Sequence, residues 1–140
     1  MFKWLLFNMG ITRDARLTPL LQALHRPSTT VAADPEEIQY GLGLGWFIGR
    51  EGDGRPASIC KDGELDGFAS YIAFLPSSDP GKIASQAGAF VLVNADGITK
   101  DGKDIALATT NDLLLCMQGE KPPADRSAYP RSARTIARRT

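Results

Sequence analysis

The pattern of apolar and polar positions changes period along the chain. Residues 1–9 put Met1, Trp4, Leu5 and Met9 near one helical face, with Lys3 and Asn8 off it, and predict a helix that Gly10 ends. Thr18-Pro19 offers a cap followed by Pro at the first helical position, and Leu17, Leu20, Leu21 and Leu24 continue at helical spacing until Pro27 stops a second short helix. Residues 28–38 are polar, contain Pro, and read as a loop. From Tyr40 to Arg50 (YGLGLGWFIGR) the pattern becomes strand-like, and Glu51 to Gly54 is a turn. Ala57–Lys61 is a short strand. Phe68–Leu75 (FASYIAFL) is apolar on both of its alternating faces, which predicts a strand covered on both sides. Residues 76–86 form a loop, Gly88–Asn94 a second buried strand, and Asp104 caps a last helix. That helix carries Ala106, Thr110, Leu113, Leu114 and Met117 as its stripe, with Gly119 past its end.

The predicted fold is α+β: an antiparallel sheet of about four strands, flanked by N-terminal helices and a C-terminal helix. The closing helix can cover one face of the sheet. The two N-terminal helices are too small to cover the other, so the chain reads as part of something larger, with an apolar face left for self-association.

Composition narrows the classes. At 140 residues, with 43% hydrophobic and 23% charged, the chain has the balance of one globular unit. Formal charge is +0, which offers no footprint for nucleic acid. Residues 119–140 nevertheless hold six basic residues against two acidic ones, +4, leaving the body at ten against fourteen, −4. With Pro122, Pro123 and Pro130 and few large apolar residues, 120–140 reads as a disordered basic tail, and 1–119 as the folded unit. No apolar run is long enough to span a bilayer, and the start of the chain lacks the cleavage site of a signal peptide. A lone His25, read as a surface or capping residue, leaves no His pair for a metal, and no cofactor is implied. Cys60 and Cys116 read as ordinary thiols, with a disulfide left open by their spacing. Tyr40 and Trp46 read as core in preference to the rim of a cleft, and Tyr71 as packing.

The candidate chemistry sits in Cys60-Lys61-Asp62-Gly63-Glu64-Leu65-Asp66-Gly67-Phe68. A Lys at the end of a strand supplies fixed positive charge, and a Gly two positions on lets a ligand lie against the strand. On spacing alone this is also what a hairpin turn with a solvent-facing Lys looks like. The series YGLGLGWFI, KDGELDGFASYIAFLP, GAFVLVNADG and a closing helix resembles the C-terminal part of class C serine β-lactamases and the related DD-peptidases and esterases, the penicillin-binding-protein-like hydrolases. Met1 to Gly10 is similar to the family's helix before this region, and the resemblance covers about residues 1–119. It implies that Lys61-Asp62-Gly63 stands where the family has Lys-Thr/Ser-Gly. Lys61 would then bind a substrate carboxylate and Gly63 would leave room along the strand, while the Glu64 backbone N–H would be one oxyanion donor. A β-lactam or cell-wall peptide would be the substrate once missing N-terminal sequence completes the site, and the location would be periplasmic or secreted.

Two departures qualify these implications. Asp62 replaces the usual hydroxyl, which favours a peptidase, an esterase or a degenerate site over a β-lactamase. The family's nucleophile motif Ser-x-x-Lys is expected to be missing from these 140 residues, as are Tyr-x-Asn and Ser-x-Asn, so the nucleophile is expected on sequence outside this chain. The chain would then be inactive alone, with a non-catalytic, truncated binding module as the alternative.

Overall fold

A computed structural model describes residues 1–31, 40–49, 58–76, 87–95 and 104–124. Three α-helices and six strands lie within them: α1 Phe2–Asn8, α2 Leu21–Leu24, β1 Thr29–Val31, β2 Tyr40–Leu42, β3 Phe47–Gly49, β4 Ser58–Leu65, β5 Phe68–Phe74, β6 Gly88–Val93 and α3 Ile105–Met117. The sheet is an antiparallel meander in chain order, β1 to β6. The α+β class and antiparallel pairing agree with the sequence, but the strand count rises from about four to six. The stretch 40–50 is two strands, because Gly43 to Trp46 turn between β2 and β3 with Gly45 at φ 80°. β1 adds Thr29–Val31 from a segment read as loop. The turn at 51–54, the loop at 77–86 and tail residues 125–140 lie outside the described residues.

Strand β4 departs most from expectation. It runs four residues beyond Lys61 because each of those residues pairs with β5, from Lys61↔Ile72 to Leu65↔Phe68. A two-residue Asp66-Gly67 turn closes the hairpin, with Gly67 at φ 80°. Asp-Gly suits such a turn because glycine takes positive φ without a Cβ clash.

Alternation along β5 explains why it is apolar on both faces. Ala69, Tyr71 and Ala73 join Cys60, Ala89, Ala106, Leu107 and Leu114 under α3, while Ile72 and Phe74 join Ile59, Trp46, Leu5 and Met9 under α1. Asp104 caps α3 by accepting from the Leu107 N–H at 3.0 Å, and Gly119 follows the helix at φ 83°, both as expected. The stripe of α3 is rotated from the expected one: Leu107, Asn111 and Leu115 are buried with Ala106, Thr110 and Leu114, whereas Leu113 and Met117 are exposed. The apolar period fixed the helix but not its phase, since leucines at 113, 114 and 115 mark every side of that turn.

On the opposite face, α1 buries Leu5, Asn8 and Met9 but leaves Met1 and Trp4 exposed, against the expected face. Helix and sheet approach closely at Gly88, where a Cβ would lie 2.6 Å from the Met9 sulfur and 3.0 Å from Leu5 Cδ1. Thr18 does not cap the second helix as expected. It opens a 3₁₀ turn, Thr18–Leu20, and its hydroxyl accepts from the Asp14 N–H at 2.8 Å. Asp14 in turn accepts from the N–H groups of Arg16 and Leu17.

Cys60 and Cys116 are free thiols, the first buried and the second exposed. Burial pushes the Cys60 thiol up to about 11. We therefore expect a water-soluble disulfide reagent at pH 8 to modify one thiol in the folded chain and both in denaturant. Rapid modification of both in the folded chain would contradict the packing of β4 against α3.

Candidate functional site

The site predicted around Lys61 lies at an opening in the sheet. Strand β3 pairs with β4 only from Ser58 to Cys60, whereas β5 pairs with it from Ile59 to Leu65. From Lys61 to Leu65, therefore, β4 has β5 on one side and no strand partner on the other among the described residues. Backbone groups along such an edge can receive an extended chain.

Register fixes the two faces of this segment. Lys61 is paired with Ile72 and so starts on the α1 side, while Asp62 is paired with Tyr71 on the α3 side. The Lys61 ammonium nonetheless ends 2.6 Å from the Asp62 Oδ1 and 5.0 Å from the centre of the Phe47 ring. Phe47 is paired with Cys60, on the α3 side. The lysine stem thus turns around the open edge, bringing its charge to the far face. Both partners of the ion pair are partly exposed, which limits its worth to less than about 1 kcal/mol.

Gly63 is paired with Ser70, whose hydroxyl donates to the Gly63 carbonyl at 3.1 Å. A Cβ at position 63 would stand 2.7 Å from that hydroxyl oxygen. Glu64 is exposed, on the same face as Asp62 and near the start of α3. The capping carboxyl of Asp104 is raised above the usual range, first by burial and then, after partial relief from backbone N–H groups, by the negative charges of Glu64 and Asp62. The four predicted site residues are consecutive on one open strand, with Lys61 and Asp62 in direct contact.

The Ser-x-x-Lys string expected to be missing does occur once, as Ser58-Ile59-Cys60-Lys61. Secondary structure disqualifies it. On a helix, residues three apart share a face, but on β4 they point to opposite faces, with backbones about 10 Å apart. Ser58 is buried and interacts with the Cys60 thiol, while the Lys61 ammonium sits at Asp62.

Sequence reasoning missed His25. It is half-buried, with Nε2 3.1 Å from the Asn8 Oδ1 and its ring set edge-on to Trp46 and Phe74 at 5.5 and 5.2 Å. It does cap α2, but it is not a surface residue. Trp46 and Tyr71 are buried, as expected. On the α1 face, the end of the sheet beyond α1 carries Leu65, Phe68 and Leu92 at 75%, 57% and 63% exposure.

Two curated proteins share 35% identity with the chain over 86 residues: the D-alanyl-D-alanine-carboxypeptidase/endopeptidase AmpH of Escherichia coli K12 and the protein of the same name from Escherichia coli O157:H7. The relationship is a distant one. The match takes in 58% of this chain but 19% of each AmpH sequence, so the chain spans about a fifth of the length of the relatives it matches. No family model and no solved structure matches the chain. No described helix is long and apolar enough to cross a membrane.

Proposed function

We propose that this chain supplies the Lys-x-Gly strand of a β-lactamase-related serine hydrolase of the DD-peptidase kind, working on acyl-D-alanyl-D-alanine peptides in the periplasm or outside the cell. The observation that carries this reading is the open edge of β4, placed at Lys61–Leu65 in a chain related to a D-alanyl-D-alanine carboxypeptidase. An extended peptide laid along that edge would meet backbone donors and acceptors, with Lys61 at one end to receive its carboxylate. Gly63 keeps the strand low under the peptide. The Glu64 N–H would stabilise a developing oxyanion, a contact whose loss in such sites costs ~3–4 kcal/mol. The nucleophile would come from polypeptide outside these 140 residues, lying over Leu65, Phe68 and Leu92.

A second reading is a non-catalytic binding module. Its support is the Lys61–Asp62 pair, which neutralises the cation a substrate carboxylate would need. Both readings are tested by following the amides of residues 61–65 by NMR while acetyl-D-Ala-D-Ala is added. The peptidase reading expects saturable shifts confined to this edge, weakened in Lys61→Met. Asp62→Asn frees the ammonium and is expected to tighten binding about 2- to 5-fold. Shifts that ignore both substitutions would refute the assigned role of Lys61.

A further inference from the structure

His25 is the chain's single histidine and sits where four parts of the fold meet. It ends α2, its backbone N–H donating to the Leu21 carbonyl at 3.0 Å. The Asn8 amide on α1 is oriented by its own Nδ2, which donates to the Trp4 carbonyl at 2.9 Å. Asn8 Oδ1 is therefore left to accept, and Nε2 of His25 must carry the hydrogen at their 3.1 Å contact. The imidazole also meets Trp46 from the β2–β3 turn and Phe74 from β5, and those two rings meet each other edge-on at 5.5 Å. Next to this cluster the Leu44 N–H donates to the Leu24 carbonyl at 3.0 Å, fastening α2 to the same turn.

We propose that His25 is a proton-operated latch: neutral, it holds the N-terminal helices and the β2–β3 turn on the sheet, and protonated, it releases them. A neutral Nε2–H ring satisfies Asn8 and packs its carbon edges against two aromatic rings. The imidazolium needs a second acceptor and a counter-charge. None of α1, α2, residues 43–46 or β5 contains an Asp or Glu. Their one charged residue, Lys3, is exposed, as is Arg26, the next residue after His25; both are positive. Burial accordingly holds His25 below the ordinary 6.5. Above about pH 6.5 the ring is neutral whether the chain is folded or unfolded, and the latch is fully engaged. As pH falls through that value the open form binds the proton first, so the latch weakens down to the lower folded-state value. Trp46 directly precedes Phe47, whose ring lies under the Lys61 ammonium, so the latch stands one residue from the open edge.

The test is an NMR titration of the sole imidazole, with hydrogen exchange of the whole chain at matched pH values. We expect the Nε2–H tautomer at neutral pH and a midpoint below 6.5. Exchange protection in residues 5–9 and at His25 and Leu44, whose N–H groups are hydrogen-bonded in these elements, should fall about tenfold for each unit of that depression, after correction for intrinsic rates, while β4 and β5 stay protected. His25→Gln, which keeps a donor but cannot be protonated, should remove the pH dependence. A midpoint at or above 6.5, as pairing of the cation with the aromatic rings would give, overturns the proposal. So does acid-induced opening that survives in His25→Gln. If that variant does not fold, the wild-type midpoint and the location of the exchange decide.

Discussion

Replacing Phe74 by Ala is expected to remove about 3–5 kcal/mol of folding stability, the range for truncating a well-packed aromatic side chain. Phe74 is 3% exposed and is shared by everything on its face: Leu5 and Met9 of α1, Ile59 and Ile72 of the sheet, and the rings of His25 and Trp46. Its partner across the ladder is Gly88, where a Cβ would already lie 3.2 Å from the Phe74 Cβ. With no side chain at 88, nothing from the paired strand position can fill the void left by the ring, and α1 loses its contact there. That helix has seven residues, too few to persist without its contact to the sheet. Urea unfolding followed by far-ultraviolet circular dichroism checks the loss. Leu92→Ala, on the bare end of the same face, should change stability by less than about 0.5 kcal/mol. A Phe74→Ala loss no larger than that of Leu92→Ala would mean that α1 is not held by this cluster.

Incubation of the chain with a chromogenic penicillin should give neither turnover nor an acyl adduct by intact mass. Acylation needs a hydroxyl or thiol activated by a neighbouring base and open to the ligand. Beside Lys61 the candidates are Ser58, Cys60 and Ser70. Ser58 is buried, and Cys60 is buried with its thiol protonated up to about 11. Ser70 donates its hydroxyl to a peptide carbonyl, which cannot take its proton. The Lys61 Nζ is engaged by the Asp62 carboxylate at 2.6 Å and not by any of these three side chains. An adduct mapped to any of the three would overturn the assignment of the nucleophile to other polypeptide. An adduct formed only after the preceding part of a relative is supplied in trans would support it.

The core strands were legible because burial on both faces leaves a run such as FASYIAFL little alternative. The edges of the sheet were not. Strand β4 beyond Lys61 is polar because one of its sides is open, so its sequence looks like a turn while its backbone continues the ladder. The difference between one strand and two over Tyr40–Gly49 rests on the four residues Gly43 to Trp46, where apolar residues sit in a turn. There a Cβ on Gly43 would stand 2.4 Å from the Leu24 carbonyl oxygen, a tertiary approach that local pattern does not record. His25 was missed for a similar reason. A single polar residue after a four-residue helix has no period, although its place right after the apolar Leu24, in a chain with no other histidine, was a usable hint. In the candidate site, residue identities at 61–64 were readable, but the path of the lysine around the strand was not. Nor was the fact that Ser58 and Lys61 lie on opposite faces, since spacing acquires meaning only once the period is known.

Every strand in the sheet is bonded to the one that follows it in the chain. Each hairpin can therefore close over a short contour, and no step has to wait for a distant segment to arrive. Assembly of this kind is quick for a β structure, because its contacts are mostly local. It also means that the pairing of each described strand is specified within a short stretch of sequence.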